Sequence, residues 1–554
     1  MALEHCIGPV CFFHLDPASP KIFGFAELLA GLALIVVAWT IADFRFKFRI
    51  ATAPIPVARI SSVVVMSVSA LALLTDLWRA EGWLVPSGGP LTASSWQFVL
   101  AALFLLSFFL WGWYAVISPP ALTSRTGKKI EHQLFETISN GSPHELAVVA
   151  DEVRRYAKTL AEEATNYDDA YFAATREKRR KLTPLESSAN HIYGILSDRR
   201  MCKAIVKSSP GAAVDLFEAV RSTWRHHVPI GTFGRYLVEE GIADRDSVFY
   251  TENRNRAGGL IVFERSIIRT MLSDYFLLKA QPDLLRVDFE KTKVWSSKEL
   301  QMYSTLVIAA FNGFSMMHLN ERRGAFVPAF SVMSDAAEGL TALVGSDDVL
   351  AHESVAKLRV VMQFVESGVA AMSWYQPSDN SELGDRVYES QDILSDWVNL
   401  IVVQVLNVAA PRLEYWSALD LMQVVTQRTF TSPQFNSWAG KTILRRVRRR
   451  LFNMLQVNGG LAGIRVANVV RFCLTGIAVD SSGKFHATHS RVLFLAVKRW
   501  LAKNFLAWHQ QSPVLALSAL SEVCEFDQVK RTITLTQLAL LRTANPQDAV
   551  IHLR

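Results

Sequence analysis

Apolar residues are spread unevenly along this chain. Residues 23–42 read FGFAELLAGLALIVVAWTIA with Glu27 as their one charge, and residues 60–77 and 98–117 form two further apolar runs. About twenty apolar residues cross a ~30 Å hydrocarbon core as a helix, and a helix satisfies its own backbone polar groups there. The pattern predicts three transmembrane helices over 23–42, 60–77 and 98–117. A secretory leader fits the first run badly, because no basic stretch precedes it and no small-residue cleavage site follows.

Past Pro119 the periodicity becomes that of globular helices. Ser142-Pro143-His144-Glu145 joins a capping residue, a first-turn proline and a glutamate three positions on, which marks a helix start. Leu146, Val149, Val153, Tyr156 and Leu160 then follow at heptad spacing. This seam either packs on its own domain or pairs with a second copy. Ser296 and Glu299 open a very apolar helix, buried over 302–311. Further helical runs cover 349–367, 390–409, 413–428, 491–509 and 513–523, and 247–251 with 260–264 read as a hairpin. No fixed period recurs. The expected fold is a membrane protein with three N-terminal transmembrane helices, followed by a mainly all-α cytoplasmic globular region. Its parts are 1–118, 119–380 and 381–554, parted near 380.

Composition agrees with this and narrows it. Half of the 554 residues are hydrophobic, which excludes a disordered or fibrous chain. Five cysteines exclude a disulfide scaffold. Basic residues set the orientation. Arg45, Lys47, Arg49 and Arg59 lie between the first two runs and Arg125, Lys128 and Lys129 after the third, against Arg79 alone in the intervening loop. The N-terminus is expected outside and the large C-terminal part cytoplasmic, in a bacterial inner membrane. Trp78, Trp83, Trp96, Trp111, Trp113 and Tyr114 suit interfacial belts. Cys6 and Cys11 then sit on the oxidising side, where they can pair. Glu27, Asp43 and Asp76 lie near the span ends, so nothing charged lines a transport path unless copies assemble.

Catalytic signatures fail one after another. Gly440-Lys441-Thr442 has Phe435 where a phosphate-binding loop needs glycine. His352-Glu353 begins a zinc-protease pattern, but Ala356 holds the second ligand position. His486 and His489 have only Asp480 nearby, and the Arg221–His226 spacing is expected by chance. Cys202, Cys473 and Cys524 are scattered in apolar surroundings. Asp168-Asp169 and Asp347-Asp348 read as solvated or capping carboxylates. No catalytic residue, metal site or cofactor is expected.

Charge carries more information. The net +7 conceals an opposition: residues 119–420 are net −6, whereas 421–521 hold fourteen basic groups and one acid, Asp480. At their centre Ile443, Leu444, Val447, Leu451 and Met454 share one helical stripe, with Lys441, Arg445, Arg446, Arg448, Arg449 and Arg450 around the rest. Lys498, Arg499 and Lys503 form a second basic helix. Such a surface takes anionic lipid or nucleic acid, with Trp438, Phe452, Trp500 and Trp508 as stacking rings. It can also dock internally on the acidic region. Two functions fit. One is a membrane-anchored, non-enzymatic binding, scaffold or sensor module that recruits a cytoplasmic protein partner. The other is a polyanion-triggered effector that forms a pore as a homo-oligomer, the layout of phage-defence systems by architectural analogy alone.

Overall fold

A computed structural model describes residues 5–7, 10–14, 21–41, 43–87, 92–165, 182–257, 266–315, 324–336, 338–343, 349–373, 393–410, 413, 415–456, 461–477, 488–520, 524–535 and 550–554. Most of these residues are helical, and contacts divide the chain into two units, Met1–Pro229 and Ile230–Arg554.

In the first unit, strands β1 (His5–Ile7) and β2 (Val10–His14) pair antiparallel, and β2 pairs with β3 (Leu84–Ser87). Between them run α1 (Phe25–Ile41), α2 (Phe44–Ala51) and α3 (Val57–Ala80). Helix α4 (Ala93–Gly112) continues into a π-helical turn, Trp113–Ile117. Two stretches, Val57–Ala80 and Ala93–Ile117, are long and apolar enough to cross a membrane. Helix α1, with 17 residues, rises only about 26 Å at 1.5 Å per residue, so three long spans become two. Its start is trimmed by side chains from its neighbours. The backbone N–H of Phe25 donates to Asp76 Oδ2 at 3.0 Å, and that of Ile22 to Gln97 Oε1 at 2.9 Å. The three helices pack through Leu28, Val68, Ala72, Leu100 and Phe104.

The same unit continues through α5 (Gly127–Asn140), α6 (Pro143–Val153), α7 (Ala157–Glu163), α8 (Pro184–Leu196), α9 (Arg199–Ser208) and α10 (Pro210–Ser222). Ser142 and Glu145 form the expected capping box, and Thr183 with Glu186 makes a second one. The heptad seam breaks at a 3₁₀ turn, Arg154–Tyr156. Leu146, Val149, Val153, Tyr156 and Leu160 are all buried where α6 meets α9 and α7 meets α10. This seam is therefore used within its own unit.

The second unit runs through α11 (Gly231–Ala243), α12 (Val248–Ala257), α13 (Ile267–Leu272), α14 (Tyr275–Ala280), α15 (Phe289–Lys293), α16 (Ser297–Ser315), α17 (Val327–Asp335), α18 (Glu353–Ala371), α19 (Ile393–Ala409), α20 (Tyr415–Thr429), α21 (Trp438–Leu455), α22 (Leu461–Phe472), α23 (Thr488–Gln511) and α24 (Pro513–Ala519). At its centre the fully buried Trp397 of α19 meets Phe311, Phe330 and Phe364, with ring centroids 5.6, 4.9 and 4.9 Å away. Strands β4 (Cys524–Asp527), β5 (Thr532–Leu535) and β6 (Val550–His552) form an antiparallel sheet. It is tied to α23 by the Arg554 N–H, which donates to Ala502 O at 2.8 Å, and by Phe526 against Phe505.

Two departures from the sequence reading concern strands. The six short strands were not anticipated. The proposed hairpin is instead helical over its first limb, because Ser247 is buried with its hydroxyl on Gly241 O and α12 begins one residue later. Its second limb, the 374–392 region where the lobe boundary was placed, Asp168-Asp169, Asp347-Asp348, Asp480 and His486 lie outside the described residues.

Candidate functional site

The basic helix forms where the sequence put it. Ser437 caps α21 by accepting the Gly440 N–H at 3.1 Å. Gly440 is needed there for closeness: a Cβ would lie 2.4 Å from Phe435 Cα. That contact gives Gly440-Lys441-Thr442 a packing role inside a helix, with no phosphate loop. Ile443, Leu444, Val447 and Leu451 are at most 1 % exposed, because α21 packs on α19, α22 and α23. The apolar stripe is consumed by the fold.

What faces outward is ordered. At 100° per residue, Trp438, Lys441, Arg445, Arg448, Arg449 and Phe452 share about 100° of circumference and about 21 Å of length. Lys441, Arg445 and Arg449 are exposed, and the flanking rings Trp438 and Phe452 are 38 % and 37 % exposed. Arg448 is half-buried, and its guanidinium is held below the usual arginine range by burial and by Arg445 beside it. An anion placed on this stripe offsets both effects by favouring the charged guanidinium.

The remaining cations divide. Arg446 and Arg450 point away from the stripe, and Arg450 donates to Asn399 Oδ1 of α19. On α23, Lys498 is half-buried while Arg499 and Lys503 are exposed. Trp500 and Trp508 are half-buried against each other with centroids 5.7 Å apart, so they are not open stacking platforms. Internal docking takes up part of the basic segment. Arg428 pairs with Glu366, which also accepts the Ser432 hydroxyl at 2.8 Å. Arg471 donates to the carbonyls of Ser518 and Ala409.

The rejected catalytic residues have structural roles. His352 caps α18, its Nδ1 accepting the Ser354 N–H at 3.2 Å. Burial pushes the Cys473 thiol up, and Cys202 is buried against Leu196 O. Arg221 is exposed, while His226 is buried beside Trp224. Among the described residues, no three His, Cys, Asp or Glu side chains converge as metal ligands. An open cleft of about 420 Å³ in the second unit, lined by Tyr250, Asn253, Lys298, Gln301 and Arg359, was not foreseen.

No protein-family model, curated protein or solved structure matches the chain. Function has to be read from the residues themselves.

A second constellation lies in the first unit. Asp43 caps α2, accepting the Arg45 N–H at 3.2 Å. Arg49 then donates Nε–H to Glu152 Oε2 at 2.8 Å, Nη2–H to Oε1 at 2.7 Å and Nη1–H to Ala115 O at 2.8 Å. Glu152 is 2 % and Arg49 12 % exposed. Arg45 bonds Asp151 at 2.8 Å, and Lys129 reaches Ala53 O at 2.6 Å. Glu152 holds Arg49 above the usual arginine range, and burial with the same carboxylate pushes the Tyr156 phenol up to about 12. Sequence reading used Arg45 and Arg49 only as topology markers. Their partners are about 105 positions away, so local pattern carried no signal for the clamp.

Proposed function

We propose that this chain is a membrane-anchored, non-enzymatic binding module whose α21 stripe takes a polyanion in the cytoplasm. Single-stranded nucleic acid is the ligand favoured. The observation that carries this reading is the burial of the apolar face of α21. A helix lying on lipid needs that face free, whereas a strand of nucleic acid needs cations for its phosphates and exposed rings for its bases. The stripe from Trp438 to Phe452 offers cations and rings in one line.

The anchor is supported by where apolar surface points. Only 17 % and 22 % of the most apolar windows of α3 and α4 are buried, and Met66, Phe98, Leu106 and Phe109 are at least 65 % exposed. Such surface needs lipid. Parity supports α1 as the third crossing. Strands β1 and β2 precede α1, yet they share a sheet with β3, which follows α3. An even number of crossings must separate them, so if α3 crosses, α1 crosses too. The basic loop residues put α2 inside, which places the N-terminus outside.

The clamp of α2 on α6 favours one further reading. It joins the linker between α1 and α3 to a cytoplasmic helix, the connection needed for a bound polyanion to act on membrane helices that assemble as a pore.

The test uses the full chain in nanodiscs and a labelled mixed-sequence single-stranded oligonucleotide. Binding is expected, weakening steeply with salt. Binding to phosphatidylglycerol vesicles but not to the oligonucleotide would replace nucleic acid by lipid. Binding to neither would leave the stripe without a polyanion role.

A further inference from the structure

We infer that Cys6 and Cys11 form a disulfide across the N-terminal hairpin, an oxidative modification site on the extracytoplasmic side. The inference rests on the proposed topology for its compartment, and on backbone register for its geometry. The register is specific: His5 pairs with Phe12, Cys6 with Cys11 and Ile7 with Val10. Ile7 and Val10 are separated by two residues, so they flank a two-residue connection and form the hydrogen-bonded pair. The next pair, Cys6 with Cys11, is then a non-hydrogen-bonded one. Opposed residues of that kind have Cα atoms about 4.5 Å apart, on one face of the sheet. A disulfide accepts Cα separations of about 4.4–6.8 Å. Register and bridge geometry are therefore compatible without moving the backbone.

The placement also gives the bridge a purpose. Strand β1 has three residues and, among the described residues, pairs only with β2, and an edge strand that short is weakly held by its own ladder. Cys11 lies opposite Ser87 of β3 as well. A Cys6–Cys11 bond thus fixes the edge strand to the strand that joins the hairpin to the α3–α4 connection. Of the remaining cysteines, Cys202 and Cys473 are buried and Cys524 is half-buried, and no disulfide joins them.

The chemistry balances with a disulfide-donating thiol oxidoreductase of the extracytoplasmic compartment as oxidant. The Cys6 thiolate attacks that protein's disulfide, forming a mixed disulfide and releasing one thiolate. The Cys11 thiolate then attacks the mixed disulfide. The Cys6–Cys11 bond forms, and the donor leaves as its dithiol with the two electrons and the two protons.

The experiment takes the full chain in membranes of intact cells and an impermeant maleimide. Tryptic cleavage after Lys21 isolates residues 1–21, which contain no other cysteine. The expected result is no adduct on this peptide without reductant and two adducts after reduction. The variant Cys11→Ser keeps one thiol and reports the compartment independently. Two adducts without reductant on the wild type, with Cys11→Ser also labelled from outside, would overturn the disulfide and leave the topology standing. Labelling of Cys11→Ser only after permeabilisation would overturn the topology, and the disulfide with it.

Discussion

Arg49 and Glu152 make a bidentate, largely buried ion pair in the first unit. Both are nearly out of water, and the guanidinium fork meets the carboxylate through two parallel bonds. Removing one partner from such a pair costs about 3–5 kcal/mol, because the other charge stays buried and unpaired. Glu152→Gln is therefore expected to lower the unfolding midpoint of the detergent-solubilised protein. Arg49→Lys is expected to lower it less, since the charge survives and the fork does not. Equal midpoints for wild type and Glu152→Gln would remove the clamp from the list of stabilising contacts. Glycines offer a second residue-scale test. A Cβ on Gly368 would lie 2.0 Å from the Trp397 ring, whereas one on Gly194 meets nothing within 4 Å. Gly368→Ala is expected to destabilise by several kcal/mol through overpacking. Gly194→Ala, inside α8, is expected to stabilise by about 0.5–1 kcal/mol. Neither outcome can be read from sequence, where both positions are simply glycines. What distinguishes them is a tryptophan 29 positions away in one case and open space in the other.

Elements were readable where one local signal sufficed. The Ser142 capping box and the amphipathic Lys441–Arg450 pattern each place a helix correctly, because caps and periodicity act within a few residues. Helix α2 shows the limit. Its sequence FRFKFRIA alternates apolar and basic residues, which is strand periodicity, yet it is helical. The Asp43 cap and tertiary ion pairs on Arg45 and Arg49 override that pattern. The strands were missed for the opposite reason: each has three to five residues and gains its stability from distant partners. For α21 the division between a buried apolar face and an exposed charged face makes a selective test possible. Lys441→Glu and Arg445→Glu alter only exposed positions, so circular dichroism and thermal midpoint are expected to stay unchanged. Oligonucleotide affinity should fall at low salt. Each lost phosphate contact should reduce the slope of log K against log salt by about 0.7. Loss of affinity with an unchanged slope would mean that the stripe acts other than by contacting phosphates.

At the scale of the whole molecule, the net charge of +7 is a poor description of an electrostatic design. The basic segment spends Arg428 on Glu366 and Arg471 on backbone carbonyls, and it leaves Lys441, Arg445 and Arg449 exposed in one line. The proposed membrane anchor rests on a comparable division. Helix α1 is short, and hydropathy alone does not decide whether it crosses. The sheet makes the decision testable, because β1, β2 and β3 must lie on one side whatever the hydrophobic lengths are. The clamp makes the complementary demand, since α2 and α6 must share the other side while α3 and α4 lie between them in sequence. Both conditions hold if α1, α3 and α4 all cross, and the first fails if α1 does not. Single cysteines at Ser19, Lys47, Glu81 and Lys128, in a background without native cysteines, separate the cases. An impermeant maleimide applied to intact cells is expected to label Ser19→Cys and Glu81→Cys, while Lys47→Cys and Lys128→Cys react only after permeabilisation. Labelling of Ser19→Cys only after permeabilisation, with Glu81→Cys labelled from outside, would mean that α1 does not cross. The N-terminal hairpin would then lie on the opposite side from Glu81, and the sheet joining them could not exist in the membrane-bound protein.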